Sequence, residues 1–259
     1  MSAAQRQSQV VIKTAAAQPS AAEIALSESL DLKLLSAEAL DTDGAEFVLA
    51  FDERGLGLHL NVPQAPGGIY VDFTATTLRR RARDSLRKQN LSKAVGIKPD
   101  YLPSVVDATA GLGSDAFLLA VQGCEVKMLE RSMVVCALLE DGLHRAREIP
   151  ELNATTKRLT LTPGEFTRLG MAAGEYDVVY LDPMFPAKRK QRKSRKSMAL
   201  LQELLPATDD EEAMFATACS VARKRVVVKR PKLAPPLAGQ SPGLEFKGSS
   251  SRFDVYLQQ

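Results

Sequence analysis

The sequence predicts an α/β protein in which a Rossmann-like, seven-stranded and mostly parallel sheet ends in an antiparallel hairpin, preceded by a small β-containing domain. Short apolar segments alternate with helical patterns from Pro103 onward, as in parallel sheets covered by helices on both faces. A glycine turn, Gly111-Leu112-Gly113, joins the first apolar segment to a helix start. The last two segments, Leu244–Lys247 and Arg252–Leu257, have no helix between them. They are therefore expected to pair as a hairpin.

Each element of this sheet has its own signal. The strands are apolar runs of about four or five residues, predicted at 104–107, Glu125–Leu129, Arg158–Leu161, Asp177–Leu181 and Arg225–Lys229. Val134–Ala146 has the pattern of the second helix. A capping box at Thr208-Asp209-Asp210-Glu211 predicts the start of a later helix that continues to Ala222.

The signals before the main domain are shorter. Residues 1–20 are rich in Ala, Gln and Ser without clear periodicity, and they are interpreted as a flexible tail. Residues 21–96 are predicted to form an accessory domain and a basic connector. In this region Phe47–Phe51 and Leu56–Leu60 flank a turn, which is typical of a β-hairpin. Residues 97–259 then form the main domain.

Composition excludes several classes of protein. With 259 residues, of which 45% are hydrophobic and 25% charged, the chain has the composition of an ordinary soluble protein. It has no apolar run long enough for a membrane span and no signal-peptide pattern, so a cytoplasmic location is expected. Three cysteines without a Cys-x-x-Cys pair accompany only two histidines. Neither a metal site nor a disulfide framework is therefore expected.

Two basic clusters stand out against a net charge of only +3. Blocks of this kind indicate phosphate binding, and therefore contact with nucleic acid. The residues predicted to bind RNA are Arg79, Arg80, Arg81 and Arg83 in the first cluster and Lys188, Arg189, Lys190, Arg192 and Lys193 in the second. The alternative is a pair of solvated helix faces, although such faces usually interleave acids at helical spacing.

The glycine turn predicts a cofactor site. Gly111 and Gly113 have no Cβ, so the backbone can take φ > 0 and approach a ligand at the start of the following helix. Asp107 before the turn and Asp115 after it would repel a pyrophosphate but suit the ammonium and sulfonium groups of S-adenosylmethionine. Glu130 closes the next strand, where an acid can accept hydrogen bonds from ribose hydroxyls. The alternative is a set of structural glycines with a solvated acid.

A second chemical site follows the fourth strand, at Asp182-Pro183-Met184-Phe185-Pro186. Ligands of open α/β sheets bind beyond the carboxyl ends of the strands, so this pentapeptide and the glycine turn are expected to line one crevice. The Asp182 carboxylate and the Pro183 carbonyl can hydrogen-bond an exocyclic amine and aim its lone pair at a methyl group. Phe185 offers a face for an unstacked base. Taken alone, Asp-Pro is more often just a turn.

Several segments together carry a family resemblance. They are Asp107–Gly113 with Asp115–Phe117, Met128–Arg131, Val179–Pro186, Lys224–Pro231 and Arg252–Asp254. These segments resemble the ribosomal RNA small subunit methyltransferase J family, whose members make N2-methylguanosine in 16S rRNA. The resemblance implies a class I methyltransferase fold, S-adenosylmethionine as cofactor, and 16S rRNA or the small ribosomal subunit as partner.

The same resemblance implies site residues by position. Cofactor contacts are implied at Ser114, Asp115, Glu130, Arg131, Glu165, Phe166 and Asp182. The family tends to have Arg in place of Ser114 and Ser in place of Glu165 and Phe166. Only the resemblance selects guanine N2, because the Asp-Pro motif serves equally an N6-adenine methyltransferase acting on RNA or DNA. A catalytically silent RNA-binding assembly factor with this fold is a further alternative, which the presence of Asp182 and Glu130 disfavours.

Overall fold

The computed structural model describes residues 9–39, 44–62, 67–76, 78, 89–183 and 210–258. Contacts divide the chain into two units. Within the described residues, the first unit contains the chain up to Asp72 together with Ser132–Arg145, and the second contains Phe73–Arg131, Ala146–Pro183 and the residues from 210 onward. The α-helices of the described part are α1 (Ala21–Leu30), α2 (Asn90–Val95), α3 (Ser114–Val121), α4 (Met133–Arg147), α5 (Pro150–Thr156) and α6 (Glu211–Val221).

The first unit is built on a five-stranded sheet with the order β2-β1-β3-β4-β5. Its strands are β1 (Val10–Lys13), β2 (Leu34–Leu35), β3 (Phe47–Asp52), β4 (Gly55–Leu60) and β5 (Ile69–Tyr70). The predicted hairpin is confirmed, since β3 and β4 pair in antiparallel register from Phe47 and Leu60 to Asp52 and Gly55. The small sheet supplies the accessory β structure that the sequence predicts.

The N-terminal residues depart from the prediction. The sequence predicts a flexible tail through residue 20, but Val10–Lys13 forms β1 and pairs in parallel with both β2 and β3. Val10, Val11 and Ile12 are at most 4% exposed. A tail is therefore the wrong interpretation for these residues. The apolar run is short and flanked by polar residues, so its pattern does not reveal that two distant strands cover it.

Helix α4 belongs to the first unit, although its sequence pattern places it among the helices of the main domain. The Asp141 carboxylate accepts a hydrogen bond from the backbone N–H of Leu56 at 3.1 Å, and Arg145 donates to the Val71 carbonyl. Gly142 lies so close to Val71 that a Cβ on the glycine would clash with Val71 Cγ1. The absence of a side chain at Gly142 thus allows the helix to approach this backbone closely.

The second unit confirms the predicted fold class. Its seven-stranded sheet has the order β11-β12-β10-β9-β6-β7-β8. The strands are β6 (Val105–Asp107), β7 (Val126–Glu130), β8 (Leu159–Pro163), β9 (Tyr176–Leu181), β10 (Ala222–Pro231), β11 (Leu244–Lys247) and β12 (Ser251–Leu257). The pairs from β8 through β7, β6 and β9 to β10 are parallel, whereas β12 is antiparallel to both β10 and β11. The chain order reverses between β6 and β9, which is where such sheets bind ligands.

The two faces of this sheet have different environments. On one face, Val179 and Leu181 of β9 pack with Val226 and Val228 of β10 against apolar residues of α6. The helix is capped by Asp210, whose carboxylate accepts a hydrogen bond from the backbone N–H at position 213. Because side chains alternate along a strand, Tyr180 and Asp182 point to the opposite face. That face carries the polar residues of the candidate site.

Candidate active site

The glycine turn is held by hydrogen bonds from both neighbouring strands. The backbone N–H of Ala108 donates to the Tyr180 carbonyl at 3.0 Å, and that of Ala110 donates to the Leu129 carbonyl at 3.0 Å. Gly111 and Gly113 have φ values of 54° and 72°, a region that favours glycine. Gly113 is also the N-cap of α3. The turn therefore presents its backbone at the carboxyl edge of the sheet, as predicted.

Two acids fix the shape of this turn. Asp107 is 2% exposed, and its Oδ1 accepts a hydrogen bond from the backbone N–H of Thr109 at 3.2 Å. Burial raises the pKa of Asp107 well above its usual value. Glu130, at the end of β7, is 6% exposed, and its Oε2 accepts from the backbone N–H of Gly111 at 3.0 Å. The predicted ribose-binding acid is thus joined directly to the glycine turn.

The residues around the turn fit S-adenosylmethionine. Among the described residues, a Cβ on Gly111 would meet only the Thr109 carbonyl oxygen at 3.9 Å, so these residues leave space for a ligand beside the turn. Asp107, Asp115 and Glu130 make the surroundings rich in carboxyl groups. Such a set of hydrogen-bond acceptors suits a ligand that carries cationic groups and ribose hydroxyls, and it disfavours an anionic pyrophosphate.

Asp182 lies next to the glycine turn, where the sequence predicts it. Its backbone N–H donates to Thr109 Oγ1 at 2.6 Å, which joins the end of β9 to the turn after β6. Its Oδ2 accepts from Lys229 Nζ at 2.8 Å. The same ammonium contacts Asp115 Oδ2 at 2.7 Å, and the Tyr180 hydroxyl donates to that oxygen at 2.8 Å. We call the side chains of Tyr180, Asp115, Lys229 and Asp182 the acid–lysine cluster.

Burial and the Lys229 ammonium determine the direction of the pKa shifts in this cluster. Burial raises the pKa of Asp182, the Lys229 ammonium opposes that change, and Asp115 adds to it. Burial alone would lower the pKa of Lys229, but the two carboxylates outweigh burial and raise it. Burial and the nearby carboxylates raise the pKa of Tyr180 well above its usual value. Lys229 and Tyr180 therefore both act as donors toward the carboxylates at neutral pH.

The other predicted residues occupy different environments. Ser114 is exposed at the first position of α3, Arg131 is half-buried after β7, and Pro183 is buried after Asp182. Glu165 is 39% exposed and pairs with Arg168 at 3.0 Å. Phe166 is 3% exposed and packs in the apolar core.

Phe166 therefore cannot offer its ring to a ligand in this arrangement, although its backbone lies beside Glu165 in the loop after β8.

Several predicted site residues lie outside the described part of the chain. These are Phe185 and the RNA-binding candidates Arg79, Arg80, Arg81, Arg83, Lys188, Arg189, Lys190, Arg192 and Lys193.

The sequence does not identify two polar residues of the site as functional: Tyr180 and Lys229. A sequence feature that could have indicated Lys229 is its position directly after the apolar run Val226–Val228. A strand pattern alone does not show which carboxylates such a lysine meets.

In the described ranges, no group of three or more His, Cys, Asp or Glu side chains could hold a metal ion. Among the same residues, no helix has the length and apolarity of a membrane span.

Comparisons with known proteins agree with this geometry. Residues 32–258 match a family model described as "Putative SAM-dependent methyltransferase". The ribosomal RNA small subunit methyltransferase J of Thioalkalivibrio sulfidiphilus is 45% identical over 237 residues, covering 90% of this chain and 91% of the relative. The protein of the same name from Pectobacterium atrosepticum is 50% identical over 194 residues, covering 74% and 78%.

A solved structure extends the agreement to three dimensions. The crystal structure of a SAM-dependent methyltransferase from Neisseria gonorrhoeae is 33% identical, covers 95% of each chain and has a TM-score of 0.71. The family model and the solved structure are both described as SAM-dependent methyltransferases, and the curated relatives are named as ribosomal RNA methyltransferases. This chain therefore belongs to the ribosomal RNA small subunit methyltransferase J family of S-adenosylmethionine-dependent methyltransferases.

Proposed function

We propose that this chain transfers a methyl group from S-adenosylmethionine to the exocyclic N2 of a guanine in 16S rRNA. The observation that carries the proposal is the contact between Asp182 and Thr109, which joins the end of β9 to the glycine turn. A group that aims an amine must lie beside the cofactor site, and Asp182 has that position. The names of the relatives support ribosomal RNA as the substrate. Because ribosomes are assembled in the cytoplasm, we propose that the protein acts there.

The glycine turn and its neighbours would hold the cofactor. Gly111 and Gly113 offer backbone at the start of α3, and Glu130 would accept hydrogen bonds from the ribose hydroxyls. Ser114, Asp115, Arg131, Glu165 and Phe166 are proposed as further contacts, with Phe166 contributing its backbone because its ring is in the core. When bound, S-adenosylmethionine supplies an electrophilic methyl group.

Asp182 and Pro183 would orient the substrate amine. An exocyclic amine delocalises its lone pair into the base ring and is a poor nucleophile. The Asp182 carboxylate and the Pro183 carbonyl can each accept one of its hydrogens, which aims the lone pair toward the methyl group. The Asp182 carboxylate can also accept the proton that the amine loses. Phe185 is proposed to stack on the unstacked base, worth roughly 1–3 kcal/mol.

The basic clusters are proposed to bind RNA phosphates. Seven of the nine residues from Lys188 to Lys196 are Lys or Arg. The block begins two residues after Pro186, which ends the Asp182 pentapeptide. Lysine and arginine are almost never fully buried without partners, so a block of this density is expected to face solvent or a polyanion. Because this block follows the Asp182 pentapeptide in the chain, we propose that it contacts RNA beside the target base.

We expect substitutions in this block to reduce the salt dependence of RNA binding. Neutralised phosphates release counterions, so log affinity falls with log salt by about 0.7–0.9 per phosphate. Replacing Arg189, Lys190, Arg192 and Lys193 with Gln should flatten that slope by up to roughly three units. RNA affinity measured across a salt series checks this, with S-adenosylmethionine affinity expected to stay unchanged.

A matched control replaces lysines on the opposite edge of the sheet. Lys98 and Lys157 are exposed and precede the amino-terminal ends of β6 and β8, so the double Gln variant should keep the wild-type slope. An unaltered slope in the quadruple variant would assign the block to a solvated surface.

The proposed function is tested by mapping methylated bases in rRNA from cells with and without the gene. Loss of one N2-methylguanosine from 16S rRNA, restored by the wild-type gene, is the expected result. Loss of an N6-methyladenosine instead would identify the adenine enzyme. An unchanged methylation pattern, together with retained RNA binding, would identify a catalytically silent assembly factor.

A further inference from the structure

Lys229 is an unusual residue for its position in the sheet. It follows Val226, Val227 and Val228, each of which is 0% exposed, in a strand that is paired on both sides. Its own side chain is only 29% exposed. An ammonium at the end of such a strand loses much of its hydration, and this loss is tolerated only where opposite charges replace the water.

The sheet register explains which charges meet it. Val227 of β10 pairs with Tyr180 of β9, and Val228 pairs with Leu181. The next positions along the two strands are Lys229 and Asp182, so these side chains leave the same face beside each other. The third partner, Asp115, comes from the first turn of α3, immediately after the glycine turn.

The ammonium therefore bridges two carboxylates that belong to different parts of the site. Lys229 Nζ lies 2.7 Å from Asp115 Oδ2 and 2.8 Å from Asp182 Oδ2. The buried Tyr180 hydroxyl also holds Asp115, because it donates a hydrogen bond to the Oδ2 atom that Lys229 contacts. Asp107, on β6, is a further acid near this group, and burial raises its pKa well above the usual value. Without the ammonium, Asp115 and Asp182 would face each other as like charges.

We infer that Lys229 is a positioning residue for methyl transfer: its ammonium holds the Asp182 carboxylate charged and in a fixed orientation, using Asp115 as the second point of attachment. This inference depends on the proposed role of Asp182 in aiming the amine. Lys229 itself does not need to touch the substrate. An apolar residue would fill the same strand position but would leave Asp182 free to rotate and easier to protonate.

The decisive variant is Lys229→Met, with Lys229→Arg as the variant that keeps the cation. Lys224→Met is the matched control. Lys224 lies on the same strand, contacts the Tyr101 hydroxyl at 2.8 Å and Asp177 at 3.7 Å, and is 46% exposed. Circular dichroism and thermal unfolding establish that each variant is folded before it is compared.

The first readout needs neither cofactor nor activity. The side-chain carboxyl carbon of Asp182 is followed by NMR as a function of pH in the free protein, and its signal is assigned by its loss in Asp182→Asn. Lys229 lowers the pKa of Asp182, so removing the ammonium should move the titration midpoint to higher pH. Lys229→Arg should restore most of the wild-type midpoint, and Lys224→Met should not change it. An unchanged midpoint in Lys229→Met would overturn the inference.

The second readout is the pH profile of methyl transfer. Turnover by Lys229→Met should fall on the order of 10- to 100-fold at neutral pH, the loss expected for a hydrogen bond to a charged group. The acidic limb of its profile should lie at higher pH than in the wild type, because the ionised Asp182 carboxylate is a stronger hydrogen-bond acceptor than the protonated carboxyl group. If Lys229→Met instead binds S-adenosylmethionine more tightly and turns over normally, the ammonium merely competes with the cationic cofactor, and the inference is wrong.

The two readouts separate this inference from the proposed function. The NMR titration reports on Asp182 even if the chain methylates a base other than guanine, or none. A shifted midpoint with no methylation of 16S rRNA would contradict the proposed function while retaining the electrostatic role of Lys229. If the wild-type protein methylates 16S rRNA but the Asp182 midpoint does not shift in Lys229→Met, the proposed function stands and the role of Lys229 is refuted.

Discussion

Replacing Asp182 with alanine is expected to lower the turnover of methyl transfer by roughly 100- to 1,000-fold, the range found when one oriented group is removed from a reacting centre. The reason is geometric. Asp182 lies at the end of β9, its backbone N–H bonded to Thr109 in the glycine turn and its carboxylate bonded to Lys229. A substrate amine that no longer donates to this carboxylate would lose the orientation of its lone pair.

RNA binding should change far less than turnover in this variant. The proposed phosphate contacts come from the basic clusters and not from Asp182, so the affinity for RNA is expected to stay within about threefold. Single-turnover rates with saturating cofactor, together with RNA affinity, separate the two effects.

Glu175→Gln is a suitable control for Asp182→Ala. Glu175 lies just before β9, at the end of the strand opposite to Asp182, and its carboxylate accepts from the backbone N–H of Ala172 at 3.0 Å. This variant should turn over at the wild-type rate. A wild-type rate in Asp182→Ala would refute the amine-aiming mechanism.

Replacing Glu130 with alanine is expected to weaken S-adenosylmethionine binding by roughly 1–3 kcal/mol, or about 5- to 150-fold, the cost of losing hydrogen bonds to a charged group. Two contributions add up in this variant. The carboxylate would no longer meet the ribose hydroxyls, and the backbone N–H of Gly111 would lose its acceptor at 3.0 Å. Isothermal titration calorimetry of the cofactor measures the sum.

A second substitution separates the two contributions. In Glu130→Gln the amide oxygen can still accept from Gly111, so the turn keeps its shape while the charge is removed. This variant should bind the cofactor with an affinity between those of the wild type and Glu130→Ala.

Glu125→Ala is the matched control, because Glu125 precedes the same strand at its other end, is 73% exposed and approaches Arg158 only at 3.9 Å. Equal affinity in Glu130→Ala and the wild type would remove Glu130 from the cofactor site.

The main sheet was predictable because its strands have strong local signals. Runs such as Val226–Val228 are buried on both faces and read as continuous apolar segments. The turn at Gly111 and Gly113 was predictable for a related reason, since positive φ values restrict the residue type. The predicted proximity of Asp182 to this turn follows from topology alone, because the carboxyl ends of β6 and β9 are neighbours.

Features that depend on distant partners could not be predicted in the same way. The strand Val10–Lys13 has only four residues, and its burial comes from pairing with segments more than twenty residues away. The contacts of helix α4 with Leu56 and Val71 give no periodic signal in the sequence. Lys229 is the clearest example, because its role depends on one carboxylate from α3 and one that directly follows β9. Only the folded sheet brings both within 3 Å of its ammonium.

The most direct measurement uses the purified protein with methyl-labelled S-adenosylmethionine and small ribosomal subunits from cells that lack the gene. After digestion of the RNA, mass spectrometry identifies the labelled nucleoside. The predicted result is label in N2-methylguanosine from 16S rRNA, strongly reduced when Asp182→Ala replaces the wild type. Label in N6-methyladenosine, or no label in RNA despite cofactor binding, would contradict guanine N2 methylation by this site.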